Sequence, residues 1–153
     1  MWRVALRNTF FVILLTGLVL AAMPSSAGAQ GLGVRAGASA DPDQFYFGGH
    51  YESRSLVQQL HFKPNLEIGV GDDITTVGVN FEFVYKIPID GPWNLYAGAG
   101  PAVNFYSFDD DNETEGGLNI LFGAETVQGL FFELKVGALD SPDLKFGVGY
   151  TWR

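Results

Sequence analysis

The sequence predicts an all-β fold: an eight-stranded antiparallel up-and-down transmembrane β-barrel behind a cleaved signal peptide. Three observations predict it. After residue 30, apolar and polar residues alternate with a period of two over stretches of about ten residues or longer, the length a tilted strand needs to cross a bilayer. Glycine is abundant at 20 residues and aromatics reach 14%, while no helix-period stretch with caps follows residue 30. The acids, finally, gather in alternate connections, as they must if those connections lie at one end of a barrel.

Residues 1–29 read as the signal peptide and 30–153 as the barrel. Arg3 and Arg7 supply the basic start, Phe10 to Ala22 the apolar run, and Ala27-Gly28-Ala29 the small residues a signal peptidase needs, which places cleavage before Gln30. The apolar run falls short of the ~20 residues that span a bilayer as a helix, so an anchor is disfavoured. Loss of Arg3 and Arg7 moves the net charge from -8 to -10, an acidic balance that argues against a nucleic-acid partner. The chain has no Cys, which removes disulfides, thiolate metal sites, Cys nucleophiles and a lipoprotein anchor.

The first strand alternates Leu32, Val34, Ala36 and Ala38 against Gly33, Arg35, Gly37 and Ser39, and Asp41-Pro42-Asp43 turns it. The second sets Phe45, Phe47, Gly49 and Tyr51 against Tyr46, Gly48, His50 and Glu52; residues 54–59 fit either its extension or a turn. The third runs from Leu60 to Val70 and ends at Gly71-Asp72-Asp73. In the fourth, Val77, Val79, Phe81, Phe83, Tyr85 and Ile87 oppose Gly78, Asn80, Glu82, Val84 and Lys86, before Asp90-Gly91-Pro92. The fifth runs from Trp93 to Phe105 and leads into an acidic loop, Asp109 to Gly116. The sixth runs from Gly117 to Glu125, Val127-Gln128-Gly129 turns it, and the seventh runs from Leu130 to Gly137. After Ser141-Pro142, Leu144, Phe146, Val148, Tyr150 and Trp152 alternate with Lys145, Gly147, Gly149, Thr151 and Arg153 in the closing strand. Pro64 and Pro101 fall mid-strand on the outward face, and each should mark a bulge or a local break.

The inward positions carry Arg35, Lys63, Lys86, Lys135 and Lys145 against Glu52, Glu67, Glu82, Glu125 and Glu133. So narrow a barrel is nearly filled by side chains, and buried charge needs a partner, which favours a salt-bridged plug over a transport path. The inward glycines leave room for water or a small cavity. Asp41 and Asp43, Asp72 and Asp73, Asp109 to Asp111 with Glu113 and Glu115, and Asp140 with Asp143 occupy the odd-numbered loops, while Tyr85, Trp93, Tyr150 and Trp152 mark an aromatic girdle at the other end. Asp109 to Glu113 lacks the spaced acids and central Gly of an EF-hand, so a solvated loop is expected and no metal is assigned. No phosphate-binding Gly loop is present, and no cofactor is expected.

The closing strand carries a resemblance. Lys145, Gly147, Tyr150 and Trp152 match the polar-x-Gly-x-x-aromatic-x-aromatic signal by which the bacterial barrel-assembly machinery recognises its clients, with Arg153 following where the signal ordinarily ends on an aromatic. With the signal peptide, this makes the chain similar to the small Gram-negative outer-membrane barrels: the outer-membrane protein A transmembrane domain, outer-membrane protein X and opacity-like proteins. The resemblance implies export through the periplasm to the outer membrane, surroundings of lipid and lipopolysaccharide, the assembly machinery as partner, a monomer and no enzymatic activity. Two alternatives stand beside it. Lipid A deacylases resemble the chain in size and strand count, but His61 is followed by Phe62 and Lys63 where they carry a Ser, and His50 and Ser53 fall on opposite faces. A soluble lipocalin-like barrel would need its apolar face inside.

Overall fold

The computed structural model of the protein describes residues 31–153, so the expected signal peptide, 1–29, and its expected cleavage before Gln30 lie outside the described residues. Nine strands form there: β1 (Gly31–Ala40), β2 (Gln44–Glu52), β3 (Ser55–Val57), β4 (Leu60–Gly71), β5 (Ile74–Pro88), β6 (Trp93–Phe108), β7 (Asn112–Thr126), β8 (Leu130–Leu139) and β9 (Leu144–Trp152). β3 is a three-residue flap on β4. The other eight are antiparallel, and β2–β4 pairing joins the two ends of the sheet into a closed barrel whose seam is β1–β9. The ambiguity at residues 54–59 resolves as a hairpin extension: β3 folds back on β4, and Ser53 N donates to Phe62 O at 2.9 Å.

The acidic loop expected at 109–116 is a correction. Only 109–111 connect the strands, because Asn112 to Gly116 pair with Ser107 to Val103 and lengthen the β6–β7 ribbon. The acids do not oppose this pairing, since Glu113 lies across from Tyr106 and Glu115 across from Asn104, so no like charges meet directly. Two of the outer turns place an Asp at positive φ, Asp41 at 52° and Asp73 at 59°, a conformation that its short side chain tolerates.

Both prolines sit at gaps in the hydrogen-bond ladder, with no shift of register. β2–β4 pairing stops at His50↔Asn65, one step before Pro64, and the Ser53–Phe62 bond resumes it in the same register. β5–β6 pairing skips from Asn80↔Ala102 to Phe83↔Ala99, and Pro101 lies in the gap. A proline lacks the N–H a ladder needs, so each leaves one rung unmade rather than forcing in an extra residue.

Burial inverts the pattern of a soluble protein. Phe45 (79% exposed), Phe47 (56%), Phe122 (55%) and Phe146 (56%) look outward, whereas Glu82 (0%) and Lys135 (1%) are sealed inside. An apolar belt of this kind is the outer face of a barrel set in lipid, and it overturns the lipocalin-like alternative. The girdle is packed: the rings of Tyr150 and Trp152 lie 5.4 Å apart, and those of Trp93 and Phe132 6.1 Å apart.

Phe83→Arg or Phe122→Arg, toward the middle of the belt, should destabilise the folded barrel by ~2–4 kcal/mol, against ~0–1 kcal/mol for Phe45→Arg on the same outward face beside the Asp41–Asp43 turn. Urea unfolding in lipid vesicles measures both, and equal costs would show that the belt does not lie in the bilayer as its parity implies.

Candidate functional site

The period of two directs a charged or amide side chain into the lumen from every wall strand. All ten of the charged residues expected there face inward: Arg35, Glu52, Lys63, Glu67, Glu82, Lys86, Glu125, Glu133, Lys135 and Lys145. They sort into two sets. Toward the outer half, Glu67, Glu82 and Glu133 meet Arg35, Lys135 and Lys145: Arg35 Nη1 lies 3.1 Å from Glu67 and 3.0 Å from Glu133, Lys135 Nζ lies 2.7 Å from Glu82 and 3.0 Å from Glu67, and Lys145 pairs with Glu67. Toward the end that holds the short turns, Glu52 and Glu125 meet Lys86, at 2.5 and 2.8 Å, and Arg153, at 3.2 and 2.8 Å. Lys63 reaches only Glu52, at 3.9 Å.

Several members of this network were not singled out from sequence. Arg153, one residue beyond the terminal motif, closes the lower set. Three amides continue it upward: Asn119 donates to Asn80 at 2.7 Å, Asn80 to Asn65 at 2.8 Å, and Asn65 to Glu82 at 2.8 Å. Their inward parity and recurrence on β4, β5 and β7 was the available signal. Tyr96 donates its hydroxyl to Glu133 at 2.8 Å, and Phe131 lies under both Lys63 and Arg35.

Several of the inward glycines are filled by neighbouring side chains. They are sockets into which larger side chains fold. A Cβ on Gly33 would meet the His50 ring at 2.2 Å, one on Gly123 the Tyr96 ring at 2.2 Å, and one on Gly149 Phe131 Cζ at 2.4 Å. At the outer mouth the β8–β9 loop, read from sequence only as a connection, folds inward. Ser141 and Pro142 are buried, and Asp140 O accepts hydrogen bonds from Tyr106 OH at 2.7 Å and Asn104 Nδ2 at 3.2 Å. Above the loop is an open vestibule of ≈ 320 Å³ lined by Asp41, Tyr106, Phe108, Glu113, Glu115 and Asp140; beneath it is a cavity of ≈ 10 Å³ beside Thr76, Asn104 and Lys145. The lower space suits about one water.

Both histidines are hydrogen-bonded within the barrel. His50 Nε2 shares a 2.9 Å hydrogen bond with Thr151 Oγ1 deep in the lumen. His61 Nδ1 lies 2.9 Å from the Ser53 carbonyl oxygen, while the Ser53 hydroxyl donates to Arg54 O and accepts from Phe62 N. Among the described residues no group of three His, Cys, Asp or Glu side chains is placed to hold a metal ion. In the terminal motif, Lys145 is tied to Glu67, Gly147 accommodates the Tyr46 hydroxyl, and Tyr150 and Trp152 face outward as an edge-to-face pair.

No protein-family model matches the chain, and no curated protein matches it. Solved structures do. Neisserial surface protein A superposes with a TM-score of 0.62 at 12% identity, over 80% of this chain and 94% of that one. The N-terminal β-barrel domain of Pseudomonas aeruginosa OprF gives 0.59 at 14%, over 80% and 96%, and the outer membrane enzyme PagL gives 0.51 at 14%, over 82% and 99%. The chain therefore has the fold of the small eight-stranded outer-membrane barrels, and identities this low carry nothing finer.

Glu67 accepts from three cations, so Glu67→Gln leaves buried charge uncompensated and should destabilise the barrel by ~3–5 kcal/mol in urea unfolding. Arg153→Ala, at the wetter mouth with its side chain 23% exposed, should cost about 1 kcal/mol or less. Similar losses for the two would mean that the lumen is uniformly hydrated.

Proposed function

We propose that the chain is an integral barrel of the bacterial outer membrane, non-enzymatic, structural or weakly permeable, with its polar lumen plugged by its own side chains. The observation that carries this reading is the lumen itself. Its charges are joined in ion pairs across the barrel, its glycines are filled by neighbouring rings, and a loop lies over the outer mouth. A plugged, ion-paired interior holds the wall rigid and leaves no continuous aqueous path. The outward belt supports a lipid setting, and the fold of the structural neighbours supports the outer membrane as that setting. The engagement of Ser53 and both histidines within the wall supports a non-catalytic role.

On this reading the chain is exported with residues 1–29 removed and works as a monomer among lipid and lipopolysaccharide, its acidic rim toward the outside. The barrel-assembly machinery reads Lys145, Gly147, Tyr150 and Trp152 before β9 pairs, since in the finished wall Lys145 and Gly147 are already occupied.

Fractionation should recover the protein in outer membranes with heat-modifiable gel mobility, and planar bilayers should show conductance far below that of an open porin. Recovery in soluble periplasm, or a steady large conductance, would sink the reading. Deleting residues 150–153 removes the end of the seam strand and half of the terminal motif. It should leave a precursor that is exported and cleaved but not inserted, with trypsin sensitivity of the periplasmic form as the readout.

A further inference from the structure

We infer that the middle of the lumen binds one small monovalent anion, of chloride size, between Lys63 and Arg35. The argument starts from charge. In the outer set three acids, Glu67, Glu82 and Glu133, meet three cations, Arg35, Lys135 and Lys145; in the inner set two acids, Glu52 and Glu125, meet two cations, Lys86 and Arg153. Lys63 belongs to neither. The residue is 1% exposed, its nearest carboxylate is Glu52 at 3.9 Å, and Glu52 is already engaged by Lys86 and Arg153. The lumen therefore holds one more positive charge than its carboxylates offset, in a place where an uncompensated ion is poorly tolerated.

Unpartnered polar nitrogens surround the same spot. Arg35, 3% exposed, spends Nη1 on Glu67 and Glu133, while its Nε and Nη2 have no hydrogen-bond partner. His50 Nδ1, also buried, has none. All three side chains meet on one ring. Lys63 Nζ is 4.5 Å from the centre of Phe131, Arg35 Cζ is 5.4 Å from it, and the His50 ring packs edge-on at 5.3 Å. Register explains the convergence, since Phe131 pairs with Gly149 and Gly149 with Arg35, so the ring folds over a glycine to reach the guanidinium.

A water molecule could satisfy the free Arg35 N–H groups but could not offset the charge; an anion does both. The ligand must be small because the neighbouring glycine sockets at Gly33 and Gly149 are already filled by His50 and Phe131. That excludes sulfate, phosphate and organic carboxylates.

The test uses the refolded barrel in zwitterionic micelles. Chloride NMR should show excess linewidth with the wild type that bromide competes away, and the thermal midpoint should be higher in chloride than in gluconate at matched ionic strength. Lys63→Met, which removes the surplus charge while keeping the apolar stem over Phe131, should lose both effects. Lys63→Gln serves if the Met variant does not refold. Absence of excess linewidth with equal midpoints in the wild type would overturn the inference. So would a linewidth effect that persists undiminished in the Lys63 variant, which would mark an adventitious surface ion.

Discussion

Everything in this molecule follows from the requirement that each backbone N–H and C=O find a partner without help from solvent. In lipid an open sheet edge is intolerable, so β2 must meet β4 and β1 must meet β9. Closure then divides every strand by parity into a lipid face and a lumen face. The belt of Phe and Val outside and the Glu, Lys and Asn rows inside are two readings of one alternation. Where the ladder is incomplete, at Pro64 and Pro101, the register on either side holds, so the cooperative strength of the remaining rungs outweighs one missing bond.

A barrel this narrow turns the inside face into a packing problem of an unusual kind, in which the core is polar. Large side chains such as His50, Tyr96 and Phe131 fit because glycine stands where each one lands, while the carboxylates and cations interlock across the axis. The apolar part of the lumen, Val84, Tyr96, Leu121 and Phe131, forms a small buried cluster among the charges. There it supplies aromatic faces to cations rather than a conventional core.

Much of this was legible in sequence because period-two alternation and turn chemistry are local. The eight wall strands, the inward direction of the ten charged residues and the outward direction of both prolines could be read from parity alone. What parity cannot give is depth and partner choice. Whether Glu67 meets Arg35 on β1 or Lys135 on β8 depends on shear and on side-chain reach across the lumen. The inward glycines looked like vacant space because a missing side chain is visible in a sequence and the neighbour that fills its place is not. Asn112 to Gly116 read as loop because acids and glycines are poor strand formers, yet a pre-formed partner in β6 overrides that preference. The inward fold of Ser141 and Pro142 depends on Asn104 and Tyr106, distant in sequence, and had no local signal.

Arg153 ties two otherwise separate requirements together. Its guanidinium bonds Glu52 at the end of β2 and Glu125 near the end of β7, and it can do so only when β9 lies against β1. Before that seam forms, Glu52 and Glu125 share Lys86 as their one close cation, with Lys63 at 3.9 Å from Glu52. Zipping the last pair of strands thus makes the final row of backbone bonds and completes the ion pairs at the base of the lumen in a single event. A half-closed barrel is penalised twice, and the closed form is separated from its near neighbours by a wider energy gap than hydrogen bonding alone would set.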